Sequence, residues 1–361
     1  MERGAERYCF LMERYLGLDS AAGAIEPYVR EQGHAWCDVT YVKPGGWVER
    51  LPAPDRLRGT LRAYLQTTEA LRAGPFRALL FCTHNTAVFH PRTLVDTPTL
   101  IWTDATPAQL DLHAELYTHP PTRSRLYGKF KFAAVQHALR SAALCVGWSE
   151  WARRSYVSDY QVPEHKTTIV PPGIDLGRWP IMQRTPAAVP RMLFVGGHFK
   201  RKGGQLLLDI YRKHFTGRCE LDLVTRDDVP ESPGVQVHRG LSPESARMRE
   251  LFRTASVFVL PTLSDFYSIA TLEAMAAGLP VILSNVGGTA DIVVEASTGY
   301  LIQPGDGTAL RSALEILLND PSRCLEMGAQ GRRRVEQHFD AKKSAGRLLE
   351  LMYGIARPRL N

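Results

Sequence analysis

A chain of 361 residues, 44% hydrophobic and 22% charged, is too long for one ordinary core and too apolar to be disordered, so two globular domains are expected. No apolar run approaches the ~20 residues of a membrane-spanning helix. The net charge of +7 suits phosphate-bearing ligands or an anionic membrane face; nucleic acid is disfavoured, because the basic residues are spread along the chain without an RNP, zinc-finger or helix-turn-helix signature.

The amino-terminal "MERGAERYCFLMERYLG" has charges on both sides of a short apolar piece and no small-residue cleavage site, so no signal peptide is read. Strand-like runs then alternate with helix-like runs, as in a parallel α/β sheet. In the first half the strands are expected at 7–12, 37–42, 78–84, 99–104, 144–149 and 167–172, with helices between them that include 20–32, 56–73 and 130–142. The proline-rich "RWPIMQRTPAAVP" (178–190) lacks periodicity and reads as a linker. A second series of strands is expected at 191–197, 220–225, 235–239, 256–262, 280–285 and 299–304, and an amphipathic helix at 339–355 ends the pattern. The reading is two doubly wound, Rossmann-like domains facing a central cleft: 1–180, a linker at 181–190, and 191–338. The segment 339–361 either packs back on the first domain or stays on the second. Six cysteines, at 9, 37, 82, 145, 219 and 324, form no CxxC pair. That points to buried thiols in a reducing, cytoplasmic setting without a zinc site.

Three stretches carry chemistry. In "SDFYSIATLEAMAAG" (264–278), Asp265 falls in a loop at a strand's carboxyl end and Glu273 lies inside an apolar helix. Such a carboxylate is costly unless paired or hydrogen-bonded. Sugar hydroxyls would suit it; equally, Asp265 could cap the helix and Glu273 could occupy its one solvated stripe. The N–H groups near Ser268 and Ile269 would face outward at the helix N-terminus, where anions are favoured. In "FVGGHFKRKGGQLLLDIY" (194–211), Gly196, Gly197, Gly203 and Gly204 allow close backbone approach, and Lys200, Arg201 and Lys202 supply charge suited to a diphosphate. It is neither GxGxxG nor a P-loop, so a nicotinamide-dependent oxidoreductase is disfavoured; a solvated basic turn is the plain alternative. In "SNVGGTADIVVEASTGYLIQPGD" (284–306), Gly287 and Gly288 follow a strand and open another helix, so they could line the cleft; by themselves they read rather as an ordinary tight turn.

Taken together, "FVGG…KGG", "VLPTLSDFYSIATLEAMAAGLPVI" and "VGGTADIV…GYLIQPGD" resemble the retaining glycosyltransferases of the GT-B fold, GT4 type (glycosyl transferases group 1). "GWSEWARRSYVSDYQVPEHKTTIVPPGIDLGRW" (147–179) is similar to the same family's approach between domains, and "WTDATPAQLD" (102–111) resembles one bacterial subgroup. The resemblance implies that the E-x7-E pair is Asp265 and Glu273, the first on the donor sugar's hydroxyls and the second on the nucleotide ribose. It implies that Lys202 binds the donor diphosphate. There are departures: Asp265 is one methylene short, Ser268 stands where a Gly is usual, and Asp291 is also shortened. The Arg usual after "VG" is Gly197, which leaves Arg201 to substitute. The His-Asp pair of many relatives is Thr103-Asp104 here, making Asp104 the acceptor-side candidate ahead of His84, His113 and His119; a turn or helix cap is the alternative for Asp104. The family's Gly-Gly loop is reduced to "GLDSAAG" (17–23), with Ser20 and Gly23 as phosphate neighbours.

The implied activity is transfer of a sugar, with retention, from a nucleotide-diphosphate donor to an unidentified glycan, lipid or small-molecule acceptor in glycan, glycolipid or cell-surface polysaccharide synthesis. No cofactor and no metal are expected; the adjacent Asp227 and Asp228 read as a solvated turn. A non-catalytic sugar-nucleotide or glycan-binding protein on the same fold is the competing reading. Finally, "TRSRLYGKFKFAAVQHALR" (122–140) interleaves Arg and Lys with Leu, Tyr and Phe. Such a helix can lie on an anionic membrane, or pack its apolar face on the first domain.

Overall fold

The computed structural model describes residues 7–15, 17–41, 46–117, 125–181, 184 and 188–356. The chain divides into two compact units, Met1–Ala114 with Pro120–Gly173 and Ala341–Asn361, and Glu115–His119 with Ile174–Asp340.

The first unit is built on six parallel strands: β1 (Tyr8–Glu13), β2 (Ala35–Val39), β3 (Ala78–Cys82), β4 (Thr99–Thr103), β5 (Leu144–Gly147) and β6 (Thr167–Ile169), in the order β2-β1-β3-β4-β5-β6. β1, β3 and β4 are buried along their whole length. That is why they read as unbroken apolar runs: helices cover both faces of a parallel sheet. Helix Arg125–Ser141 contributes Val135, Ala138 and Leu139 to the core with Leu79, Phe81, Ile101 and Tyr156. Helix Ala341–Ala356 closes this unit. It buries Leu348, Leu349 and Met352, Ser344 Oγ donates to Pro171 O at 2.9 Å, and Tyr353 Oη pairs with His34 Nε2 at 3.2 Å.

The second unit repeats the plan with β7 (Arg191–Val195), β8 (Glu220–Val224), β9 (Val235–His238), β10 (Val257–Leu260), β11 (Val281–Ser284) and β12 (Gly299–Ile302), in the order β12-β11-β10-β7-β8-β9. All neighbouring pairs are parallel. The chain runs outward from β7 through β8 to β9, then crosses back to start the other wing at β10. β7 and β10 therefore flank the topological switch point, where the loops beyond the strand ends diverge and leave a crevice. In the first unit β1 and β3 hold that position.

The boundary between units falls at Gly173 and Ile174, earlier than the expected 180. Ile174 N donates to Phe339 O at 2.9 Å, and Trp179 packs edge-on against Phe252 with ring centroids 5.2 Å apart, so 174–179 fold with the second unit. Within the expected linker, Arg184 is anchored: its guanidinium donates to Phe252 O at 3.1 Å, to Ala277 O at 2.9 Å and to Ala255 O. Residues 182, 183 and 185–187 lie outside the described residues. Among the described residues no helix is long and apolar enough to cross a membrane.

Candidate functional site

The loops after β7 and β10 meet at the switch point of the second sheet. Gly203, with φ +76°, is where they touch: a Cβ there would lie 1.8 Å from Pro261 O, so only glycine lets the backbones come this close. Leu263 N donates to Arg201 O at 2.9 Å, and Thr262 Oγ1 donates to the same oxygen at 3.2 Å. Across this seam Lys202 Nζ donates to Asp265 Oδ2 at 2.5 Å. The pair is mostly enclosed, with 16% of the Lys202 side chain and 7% of the Asp265 side chain exposed. Burial lowers the Lys202 pKa; Asp265 opposes that shift and the charge of Arg201 adds to it. An ammonium has three donors, so Lys202 can keep Asp265 and still receive an anion.

Arg201, beside it, donates through Nη1 to Ser264 O at 2.9 Å and to Tyr117 Oη at 3.1 Å. Its guanidinium carbon stands 4.3 Å from the centre of the Tyr117 ring, and that ring stacks on Phe266 at 4.7 Å and 13°.

Helix Ile269–Ala276 begins just beyond Asp265. Ser268 is its N-cap: its Oγ accepts from Thr271 N at 3.3 Å and from Thr271 Oγ1 at 2.7 Å. The capping role weighed for Asp265 thus belongs to Ser268, which frees Asp265 for Lys202. The first turn of a helix leaves its N–H groups without intrahelical acceptors, so this end carries partial positive charge beside the Lys202–Asp265 pair. Glu273 is half-buried, and its carboxylate has no hydrogen-bond partner among the described residues. Burial pushes its pKa up to about 7, weakly opposed by Arg178. The glycine pair after β11 serves this loop too. Gly288 N donates to Phe266 O at 2.8 Å, and a Cβ on Gly287 would come within 2.0 Å of Asp265 O.

Lys202, Arg201, Asp265, Ser268, Ile269 and Glu273 are thus gathered on the second unit, on the β7 and β10 loops and the helix that follows. Gly197 lies on the same β7 loop, beside the Arg226 side chain; a Cβ there would meet Arg226 Nε at an ordinary 3.6 Å. Asp227 and Asp228 are both engaged, Asp227 Oδ2 accepting from Phe199 N at 2.8 Å and Asp228 pairing with Arg239. Among the described residues there is no group of three or more His, Cys, Asp or Glu side chains that could hold a metal ion.

Asp104 lies on the first unit, after β4. Thr103 Oγ1 donates to Asp104 Oδ1 at 3.2 Å. The cap of the next helix, Pro107–Leu112, is Thr106 in a capping box with Gln109, so capping does not account for Asp104. His84 is buried and held neutral, its pKa lowered to about 3 by burial and then by Lys131. His113 is also depressed by burial, and His119 lies outside the described residues. The stretch 17–23 is helical rather than a loop: Ser20 and Gly23 lie within helix Gly17–Glu31, which starts three residues before the expected 20 and buries Ala21 and Ala22. One carboxylate escaped the sequence reading. Glu13 closes β1 with 1% exposure, and accepts from Thr83 Oγ1 at 2.5 Å and Asn85 Nδ2 at 3.4 Å. Burial raises its pKa to about 7 against those hydrogen bonds, and the charge of Asp104 adds to the rise. The signal was present: a lone Glu at the carboxyl end of an apolar strand.

Residues 233–334 match the family described as "Glycosyl transferases group 1". A D-inositol 3-phosphate glycosyltransferase of Streptomyces avermitilis is 28% identical over 246 residues, 60% of this chain and 52% of that protein. The chain spans between about a quarter and half the length of the curated relatives it matches first. Among solved structures, the sucrose-phosphate synthase of Thermosynechococcus elongatus superposes with a TM-score of 0.73 at 18% identity, covering 97% of this chain and 99% of that one. Anabaena Alr3699/HepE in complex with UDP superposes with a TM-score of 0.69 at 11% identity, covering 97% and 100%. The two six-stranded parallel sheets are thus those of the GT-B fold, and the chain is similar to the group 1 glycosyltransferases, as its motifs indicated.

Proposed function

We propose that this chain is a group 1 glycosyltransferase that moves a sugar from a nucleotide-diphosphate donor to an acceptor with retention and without a metal ion. The observation that carries the reading is the Lys202–Asp265 pair, which bridges the β7 and β10 loops at the switch point beside Arg201 and a helix N-terminus. In the transfer, the bond between the sugar's anomeric carbon and the diphosphate oxygen breaks and a bond to an acceptor oxygen forms. Negative charge gathers on the departing diphosphate. Lys202, Arg201 and the first turn at Ser268–Ile269 are fixed positive groups already oriented to receive it, which is the requirement for electrostatic catalysis. Asp265 would hold sugar hydroxyls near the reacting carbon, Glu273 the ribose, and Asp104 the acceptor side. The UDP bound by the Anabaena protein makes uridine donors the first to test. The protein is incubated with UDP-, GDP- and ADP-sugars, and release of free nucleoside diphosphate is followed. Release with one donor, accelerated by an acceptor, is expected. Binding without release or transfer assigns the competing role of a sugar-nucleotide-binding protein; no binding of any donor refutes both.

The acceptor belongs to this proposal as a glycan, lipid or small molecule, and the location as the cytoplasm, with free cysteines that a reducing compartment tolerates. Contact with an anionic membrane is supported by helix Arg125–Ser141. Its C-terminal half packs into the core, but Leu126, Tyr127 and Phe130 remain 80%, 60% and 71% exposed, with Lys129 beside them exposed and Lys131 half-buried. Each basic residue near an anionic surface contributes ~1 kcal/mol. Sedimentation with phosphatidylglycerol vesicles should carry the protein down at low salt and release it at high salt. No binding at low salt, or undiminished binding by Leu126→Asp/Phe130→Asp, rules the contact out.

A further inference from the structure

Tyr117 is the one described aromatic side chain that reaches Arg201. It ends the described run 46–117 and groups with the second unit. Its ring stacks on Phe266, with centroids 4.7 Å apart and planes 13° from parallel, and the Arg201 guanidinium carbon stands over it at 4.3 Å. Two groups that close cannot share one face, so the ring lies between them. The hydrogen bonds sharpen the picture. Arg201 Nη1 donates both its protons, to Tyr117 Oη at 3.1 Å and to Ser264 O at 2.9 Å. A guanidinium has five N–H donors, and the three on Nε and Nη2 have no acceptor among the described residues. One edge of Arg201 is pinned and the other is open. An open guanidinium edge is the shape that grips two phosphate oxygens at once.

We infer that Tyr117 is the positioning residue for Arg201: it holds the guanidinium by its ring face and its hydroxyl so that the free Nε–Nη2 edge meets the donor's diphosphate. This rests on the proposed donor site and adds a residue that its motifs do not contain. A long arginine side chain left unrestrained must be ordered when the ligand binds, and ordering it beforehand improves affinity without any new contact. Tyr117 itself touches no phosphate in this account, so its effect must pass through Arg201.

The test is titration calorimetry on the full chain, using UDP, GDP and ADP and continuing with the tightest. Tyr117→Ala should weaken that nucleoside diphosphate about five- to tenfold, from the loss of a cation–π contact and a hydrogen bond. Tyr117→Phe, which keeps the ring, should recover about half of that loss on a logarithmic scale. In an Arg201→Ala background, adding Tyr117→Ala should change affinity by less than about twofold, because contacts that act through one partner are not additive. Thermal melts of each variant confirm folding. A wild type that binds while Tyr117→Ala binds equally well overturns this inference alone, and so does an equal loss in both backgrounds. A wild type that binds none of the three nucleotides overturns the donor-site reading and this inference with it.

Discussion

Replacing Lys202 by Ala tests the centre of the site, and the structure sets the size of the effect. Its ammonium bonds Asp265 at 2.5 Å, in a spot that leaves 16% of the lysine side chain exposed. A hydrogen bond to a charged group contributes about 1.5–3 kcal/mol. Lys202 has donors to spare, so the diphosphate adds a bond without displacing Asp265. The neighbouring carboxylate nevertheless cancels part of the lysine's charge. The lower half of the range is therefore expected, about 1.5–2 kcal/mol, or roughly a ten- to thirtyfold loss of nucleoside-diphosphate affinity. The substitution also strands Asp265, 6% exposed, without its cation. An unsatisfied buried acceptor costs about 1–3 kcal/mol, and for a unit of this size each kcal/mol lowers Tm by about 2–4 °C. Titration with UDP, GDP and ADP, with a thermal melt of the same sample, reads both effects. Wild-type affinity in a folded Lys202→Ala protein would falsify the diphosphate role. Weakened binding that Asp265→Asn reproduces in full would show that the pair merely holds the loops together.

Asp265→Asn should leave free nucleotide binding within about threefold and cut turnover, because the carboxylate faces the sugar in this reading; kinetics with a saturating donor decide it. Glu273 has a folded pKa raised to about 7 by burial, so it is protonated below that pH and ionised above it. An ionised carboxylate is the stronger acceptor for ribose hydroxyls. Nucleotide affinity should therefore rise by roughly threefold from pH 6 to pH 8, and Glu273→Gln should weaken binding and flatten the profile; an unaltered slope in the variant removes Glu273 from the ribose. Gly287→Ala places a methyl 2.0 Å from Asp265 O at a φ of +59°, and should destabilise the second unit by about 2–4 kcal/mol and depress turnover; an unchanged melt would mean the loop relaxes freely. Because fixed cations are proposed to stabilise the leaving group, transfer should persist in excess EDTA, and loss of activity restored by magnesium or manganese would replace that mechanism.

The central strands are visible in the sequence because a parallel sheet covered on both faces demands continuous apolar runs, while the edge strands β2, β6 and β9 are only partly buried and show as shorter mixed runs between turn residues. Lys202, Asp265 and Glu273 were legible for the opposite reason: charges interrupting apolar or glycine-rich stretches at strand ends need a purpose. Glu13 obeys the same rule at the end of β1, whereas Tyr117 and the boundary between the units have no local signature. Tyr117 precedes a polar, proline-containing stretch, and only the folded chain places it on Phe266 and Arg201. The end of the first unit was read too late because Trp179 looks like a linker residue until Phe252, 73 positions on, packs against it. The glycine pair at 287–288 shows the limit most clearly. Its sequence allows an ordinary turn or a cleft-lining loop; the structure has the turn, between β11 and the short helix Thr289–Asp291, and adds a duty with no sequence signal. Gly287 is required because the carbonyl of Asp265 fills the space where a side chain would begin, and Gly288 N clamps the next carbonyl, that of Phe266. The β11 loop therefore sets the position of the acid on the β10 loop through backbone contact alone. Since that contact depends on a missing side chain, it can be lost by adding a single methyl group, and its effect should appear first at Asp265.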